Sequence, residues 1–262
     1  MAARGLARVR AIPLRSTRVA CRSYRAHPSA FNHCVDLVNA CEGVPSPRRR
    51  QHDPERYICN LHAPKSARSG LFALHAFNLE TSRIKSSTTD KNIGRMRLLW
   101  WRQALAQTAE GSPPDQPVLH ALAHSGAQYR WTWRYLEQLL DAREADLELT
   151  QPSSQAELLS YCERTAGSLS LLACECANSK EATSFNVEVA EQAALHVGAA
   201  LGIATLLRGL PLHCAQGCSY IPEDVAARHG LTLKEVREKP VKSAHSSVRA
   251  CVVTHVCSSR RL

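Results

Sequence analysis

The sequence predicts an all-α fold, and three observations support this prediction. Apolar side chains recur at helical spacing through most of residues 54–210. Prolines, glycines and capping residues interrupt the pattern at positions that fit helix ends. No convincing alternating strand occurs before residue 240, and the only strand-like run is at residues 252–254. A chain of 262 residues is long enough to form one large core of this kind.

The predicted helices begin and end at residues with a defined local role. Asp90 is suited to cap the second helix, because its carboxylate accepts unpaired N–H groups of a first turn. Pro117 stands at the first position of the third helix, where a missing N–H costs nothing. Pro211 stops the last helix. In chain order the predicted helices span residues 54–85 with a break near Pro64, 92–110, 117–125, 129–149, 155–178 and 184–210.

The most apolar stretch of the chain is residues 193–212. His196, three glycines and Arg208 interrupt it, and no run of eighteen apolar residues occurs anywhere in the chain. We therefore expect no transmembrane helix. A buried core helix explains this stretch, with His196 as a hydrogen-bonded core histidine.

The net charge of +10 is concentrated at the two ends of the chain. Residues 1–25 contain seven arginines and no acid, and residues 239–262 contain five basic residues and no acid. The remaining part has 21 basic and 23 acidic residues, so it is nearly neutral. We expect no nucleic-acid partner, because a phosphate-binding surface needs an excess of positive charge.

The amino terminus has the composition of a mitochondrial transit peptide. The first acid is Asp36, and the residues before it combine spaced arginines with serine, threonine and small apolar residues. A positive amphipathic segment is drawn inward by a membrane potential that is negative inside. We assign residues 1–27 to this peptide, although a plain basic tail or a chloroplast address has a similar composition.

Eleven cysteines are a high count for a chain without a secretory signal. Their number is odd and their spacing irregular, so we expect free thiols rather than a disulfide framework. A zinc site is the alternative, but its residues lack the paired close spacing of known zinc motifs. The residues of that alternative are His213, Cys214, Cys218, Cys251, His255 and Cys257.

Four segments resemble the squalene/phytoene synthase family and occur in the order expected of it. Residues 69–77 (SGLFALHAF) are similar to its leading helix, and residues 93–105 (IGRMRLLWWRQAL) to the next element. Residues 166–172 stand in the place of its central helix. Residues 201–208 (LGIATLLR), followed by residues 220–224 (YIPED), are similar to a helix that the family pairs with a tyrosine–proline turn.

The resemblance covers about residues 55–235 and implies a single isoprenoid-synthase-like helical bundle, which we place at residues 50–238. The family continues through further helices after the tyrosine–proline turn. Residues 239–262 are instead basic and poorly periodic, so we expect an irregular basic tail and a bundle truncated at its C-terminus. Such a bundle would expose apolar surface.

The resemblance also implies where catalytic metal would bind. Members of the family hold Mg²⁺ against a prenyl diphosphate with two acidic clusters, whose aspartates stand about one helical turn apart and share one face. Here other residues occupy those places, and Arg83 would put a positive charge where a divalent cation binds. We therefore expect no metal, no cofactor and no catalytic residue. The degenerate positions are Ser82, Arg83 and Ser86 in the first cluster and Thr205, Gly209 and His213 in the second.

Within the family, the chain is most similar to a non-catalytic mitochondrial branch. Residues 76–81, Lys85, residues 90–97 and residues 207–213 carry this similarity. It implies a role in assembling respiratory complex I (NADH:ubiquinone oxidoreductase), with complex I subunits or assembly intermediates as partners. It also implies a peripheral position on the matrix side of the mitochondrial inner membrane. The alternatives are an isoprenoid- or lipid-binding protein and a residual prenyl-diphosphate transferase.

Four further residues are candidate contacts of a pocket or a partner: Trp100, Trp101, Arg208 and Tyr220. For the tryptophan pair, the alternative is that one ring packs in the core while the other half-covers the surface. For Arg208 it is an ion pair with a carboxylate of a neighbouring helix.

The predicted helix 129–149 carries two aspartates that could form an acidic pair. Asp141 and Asp146 stand five residues apart, which places them poorly on one face, and Arg143 lies between them. We expect all three on a solvated helix face.

Overall fold

A computed structural model of the chain describes residues 26–39, 54–178 and 187–230. These ranges form twelve α-helices and one π-helical turn, with no strand among them, so the all-α prediction is confirmed. Most of the transit-peptide assignment, the strand-like run at 252–254 and the tail at 239–262 lie outside the described residues. The helices are α1 (Pro28–Asn39), α2 (Pro54–His62), α3 (Lys65–Ser82), α4 (Ile84–Ser87), α5 (Lys91–Ala109), α6 (Pro117–Tyr129), α7 (Arg134–Glu148), α8 (Gln155–Cys162), the π turn (Glu163–Gly167), α9 (Ser168–Asn178), α10 (Val187–Arg208), α11 (Leu210–Ala215) and α12 (Glu223–Arg228).

The helix starts follow the local signals of the sequence. The Asp90 side chain accepts a hydrogen bond from the Asn92 N–H at 2.8 Å and begins α5. Gln116 accepts from the Leu119 N–H at 2.8 Å, with Pro117 at the first position of α6. α1 was not predicted, because the sequence prediction began at residue 54. Its buried residues Ala30, Cys34 and Val38 are four apart, which is the spacing that indicates it.

α3 lies in the main hydrophobic core, and several helices of the described chain pack on it. It packs against α1, α6 and α9, while α5 packs against α6 and α7. Phe77 of α3 is fully buried, and its ring meets the edge of the Trp101 ring of α5 at a centroid distance of 5.5 Å. This contact ties the first half of the bundle to α5.

The second half of the bundle depends on a close approach between two glycines. α8, the π turn and α9 form one nearly continuous element, and α10 lies across the π turn. A Cβ atom at Gly198 of α10 would lie 2.6 Å from the Gly167 Cα atom of the π turn. Only glycine at position 198 therefore lets the two backbones come this close.

The expectation of a buried core helix for residues 193–212 is wrong for one face of α10. Its glycine-bearing side packs on the π turn, but Val197 on the other side is 66% exposed, and His196 is exposed as well. His196 is thus not a core histidine. Glu188–Arg208 is the one helix in the described ranges that is long and apolar enough to cross a membrane. Core helices of soluble proteins that pass the same test are mostly buried, whereas 22% of this apolar window is buried.

Candidate functional site

A cavity of about 520 Å³ lies between α3, α4, α7, α8, α10 and α11. Helices from both ends of the domain wall it, so residues far apart in the sequence meet there. Of the ten degenerate positions and candidate contacts named from the sequence, six line it: Ser82, Ser86, Thr205, Arg208, His213 and Tyr220. The structure therefore brings two positions of each predicted degenerate cluster to one site.

The other four, Gly209, Arg83, Trp100 and Trp101, do not line this cavity. A Cβ atom at Gly209 would come within 2.7 Å of the His213 Nε2 atom. Arg83 instead lines a separate surface hollow together with Trp100 and Trp101. The expectation that Arg83 puts its charge at the metal position is therefore wrong, because its side chain leaves the helix on another side.

The hydroxyl groups at three degenerate positions bond to their own helices. Ser82 Oγ donates to the Leu79 carbonyl at 3.1 Å, and Ser86 Oγ donates to the Arg83 carbonyl at 3.1 Å. Thr205 Oγ1 donates to the Leu201 carbonyl at 2.8 Å. Each is an ordinary helical back-bond, so these side chains present neutral oxygens to the cavity and no carboxylate.

A buried polar network forms one wall of the cavity. Lys85 Nζ lies 3.0 Å from Asp146 Oδ1 and donates to the Leu149 carbonyl at 3.0 Å. The Tyr220 hydroxyl lies 2.9 Å and 2.8 Å from the two Asp146 oxygens. Asp146 is only 4% exposed, so both of its oxygens are engaged away from bulk water. Lys85 is thus one of the cations in the cavity wall.

Aromatic rings pack around this network. The Tyr161 ring stacks on the Tyr220 ring at a centroid distance of 5.9 Å, and the His213 ring meets Tyr220 edge-on at 4.8 Å. Arg143 donates to the Tyr161 hydroxyl and, at 3.1 Å, to the Asn78 side-chain oxygen. Burial raises the pKa values of Tyr161 and Tyr220. Burial also lowers the pKa of His213, against the opposing effect of Asp146, so His213 is neutral at pH 7.

The expectation of a solvated face for Asp146 and Arg143 is wrong. Both side chains belong to the cavity wall, and only Asp141 of the three faces solvent, where it pairs with Arg102 at 2.6 Å. The sequence contains a signal for this. Arg143 and Asp146 each follow a fully buried leucine, Leu136 and Leu139, by seven residues, a spacing that returns to the same helix face.

An ion pair between α2 and α10 lies at the rim of the cavity. Arg208 Nη1 binds the Glu55 carboxylate, and both side chains are more than half exposed. This is the alternative considered for Arg208 from the sequence, a pair with a carboxylate of a neighbouring helix. For the tryptophans the alternative also holds, because Trp101 is buried and Trp100 lies at the surface.

The lining does not fit a magnesium cluster. Among the described residues that line the cavity, the carboxylates are Glu55 and Asp146, and each is already paired with a cation. Mg²⁺ requires several oxygen ligands at short distance, including carboxylates free to bind it. Within the described ranges, no group of three or more His, Cys, Asp or Glu side chains is placed to hold a metal ion.

The structure describes only three of the six residues in the zinc alternative. Cys251, His255 and Cys257 lie outside the described residues. Of the other three, Cys218 donates its thiol hydrogen to the His213 carbonyl at 3.4 Å, and burial raises the pKa of this thiol. Both observations describe a protonated thiol and not a thiolate ready to bind metal.

Comparison with known proteins identifies the family. Residues 49–259 match the model of the squalene/phytoene synthase family. The chain belongs to this family. The match extends into the segment expected to be an irregular tail, and the domain bounds at residues 50 and 238 remain a prediction.

Relatives of known name lie within the family. The chain is 31% identical to mouse "NADH dehydrogenase (ubiquinone) complex I, assembly factor 6" over 260 residues, which is 97% of this chain and 73% of the mouse protein. It is 32% identical over 246 residues to the Drosophila melanogaster homolog of that factor, covering 88% of this chain and 67% of the fly protein. The resemblance drawn from the sequence is thereby confirmed.

A solved structure of the family shares the fold. The squalene synthase of Alicyclobacillus acidocaldarius superposes with a TM-score of 0.68 over 87% of this chain and 78% of its own. The sequence identity is 18%, so this likeness establishes the isoprenoid-synthase-like bundle and nothing about activity.

Proposed function

We propose that this chain is a non-catalytic assembly factor for mitochondrial respiratory complex I, NADH:ubiquinone oxidoreductase, built on a prenyl-synthase fold. The similarity to two relatives that carry the name of such a factor supports the role. The observation that supports the loss of catalysis is the state of the cavity carboxylates. Asp146 forms an ion pair with Lys85 and accepts a hydrogen bond from Tyr220, and Glu55 forms an ion pair with Arg208.

The chemistry of the family explains why this observation matters. Loss of pyrophosphate from a prenyl diphosphate leaves a carbocation, and Mg²⁺ must neutralise the leaving group. Ser82, Ser86 and Thr205 offer neutral hydroxyls at this site. The charged lining residues are two carboxylates and four cations, the cations being Arg56, Lys85, Arg143 and Arg208. A site of this charge repels a divalent cation. We therefore assign Ser82, Arg83, Ser86, Thr205, Gly209 and His213 as former aspartate positions.

The partners proposed are complex I subunits or assembly intermediates, and the location proposed is the matrix side of the inner membrane. The arginine-rich residues 1–27 would direct import, and contact with the membrane would be peripheral. These assignments follow from the composition of the amino terminus and from the named relatives.

A second candidate function is the binding of an isoprenoid or another lipid. The observation in its favour is the cavity of about 520 Å³, which is within the usual size range of small-molecule sites. Lipid binding needs no Mg²⁺, so the paired carboxylates do not argue against it.

The assembly role is tested by native-gel electrophoresis of mitochondria from cells that lack this protein. We expect a selective loss of assembled complex I, with the other respiratory complexes unchanged. Re-expression of the full chain should restore complex I, while a chain without residues 1–27 should stay in the cytosol and fail to do so. Normal complex I in the knockout cells would overturn the assembly role and favour lipid binding.

The non-catalytic assignment has a separate test. Purified full-length chain is incubated with Mg²⁺ and farnesyl or geranylgeranyl diphosphate, and released pyrophosphate is measured. We expect no release above that of heat-denatured protein, and we expect the chain with Ser82→Asp, Ser86→Asp, Gly209→Asp and His213→Asp to remain inactive. Robust Mg²⁺-dependent turnover by the unmodified chain would contradict the assignment.

A further inference from the structure

The outward face of α5 carries four large apolar side chains in the solvent. They are Ile93, Met96, Leu99 and Trp100, with exposed fractions between 45% for Trp100 and 70% for Met96. Successive members are three, three and one positions apart, so all four lie along one side of the helix. The row that they form is about 10 Å long and covers two turns. We call these four residues the outer stripe. The opposite side of α5 is buried in the core, so this helix is apolar on both sides.

A hollow of about 370 Å³ lies beside the outer stripe. Trp100 and Trp101 form one wall, and their rings meet edge to face at a centroid distance of 5.1 Å. The remaining lining residues are Glu80, Arg83, Ile84, Ser87 and Arg97. Because Trp101 is fixed in the core, the wall presented by Trp100 is held in place. A hollow with a rigid aromatic wall can receive one protruding side chain.

The charges beside the outer stripe are unequal on its two borders. α5 itself carries four basic residues and no acid. On one border, Lys91 and Arg95 pair with Glu148 of α7 at 3.0 and 2.6 Å. On the border at the hollow, Arg97 makes no ion pair with any described residue and donates to the Ser87 hydroxyl at 3.1 Å. The Arg97 guanidinium therefore places a positive charge on this border of the hollow.

We propose that the outer stripe and its hollow bind an amphipathic helix of a partner protein, with an apolar side chain in the hollow and a carboxylate at Arg97. The composition supports this occupant, because tryptophan, methionine and arginine are the side chains enriched where proteins bind. The inference rests on the proposed function in one respect, since the partner helix would belong to a complex I subunit or assembly intermediate.

An anionic membrane surface fits this face less well. Glu148, Asp141 and Glu144 of α7 pair with Lys91, Arg95 and Arg102 of α5, so this border has no excess positive charge to attract acidic headgroups.

The test uses the full-length chain with a photo-crosslinking amino acid at position 96, expressed in mitochondria of knockout cells. The matched control has the same amino acid at Val197, which is also apolar and 66% exposed but lies on α10. We expect irradiation to join position 96, and not position 197, to a complex I subunit or assembly intermediate. Peptide mapping should place the adduct on a helix with an apolar stripe and acidic border.

Two variants then test the hollow and its charge. Trp100→Ala and Arg97→Glu should each reduce the adduct at position 96 about tenfold, the effect of losing one binding hot spot. Both side chains lie at the surface, so circular dichroism should show that both variants stay folded. Adducts to lipid alone, to a second copy of the chain, or to no molecule would overturn the inference. If complex I still depends on the chain in that case, the proposed function stands without this surface.

Discussion

Replacement of Asp146 by alanine is expected to lower the free energy of unfolding by about 3–5 kcal/mol. The change leaves the Lys85 ammonium and the Tyr220 hydroxyl inside the cavity wall without the carboxylate that both contact. A buried charge without its partner costs more than the original pair contributes. Urea denaturation of the purified chain, followed by circular dichroism, measures the effect.

Asp141 provides the matched control on the same helix. Its carboxylate is 44% exposed and pairs with Arg102 at 2.6 Å at the surface. Asp141→Ala should therefore cost less than about 1 kcal/mol. The double variant Lys85→Met with Asp146→Leu should recover part of the stability lost by Asp146→Ala, because the Lys85 ammonium is no longer left without its carboxylate. The recovery should be incomplete, because the buried Arg143 still lacks the nearby Asp146 charge. Equal losses for Asp141→Ala and Asp146→Ala would show that the network is not buried as described.

Replacement of Gly198 by valine should destabilise the chain by about 3 kcal/mol, at the upper end of the range for overpacking a core. The new Cβ atom would lie 2.6 Å from the Gly167 Cα atom and 2.7 Å from the Ala166 carbonyl oxygen. Both are backbone atoms of the π turn, so no side-chain rotation relieves the contact. Thermal unfolding of the purified variant measures the loss as a lower midpoint temperature.

Ala200→Val is the control, since position 200 is on the same helix and exposed. It introduces the same β-branched side chain, so it reports the small cost of valine in a helix without the clash. We expect its unfolding midpoint to stay within a few degrees of that of the parent chain. A Gly198→Val variant as stable as the Ala200→Val variant would mean that α10 is not seated on the π turn.

The sequence by itself determined part of the local structure of this protein, although α1, α11 and α12 were not predicted and α7 begins at Arg134 instead of residue 129. The bounds of α5, the continuous element from α8 to α9 and the start of α6 agree with the predictions to within one residue. Each depends on groups within a few positions of one another, such as the Asp90 carboxylate and the Asn92 N–H. The family could also be recognised, because its segments keep their order along the chain.

Only the tertiary structure decided which polar side chains form the site. Asp146 meets Lys85 and Tyr220, which are 61 and 74 residues away, and helical spacing alone had suggested a solvated face. Arg83 and Ser82 are neighbours in sequence but line different hollows, because adjacent positions on a helix point about 100° apart. The exposed side of α10 was missed for a related reason. Composition fixes how apolar a helix is, whereas the contacts made by distant parts of the chain fix which of its sides is buried.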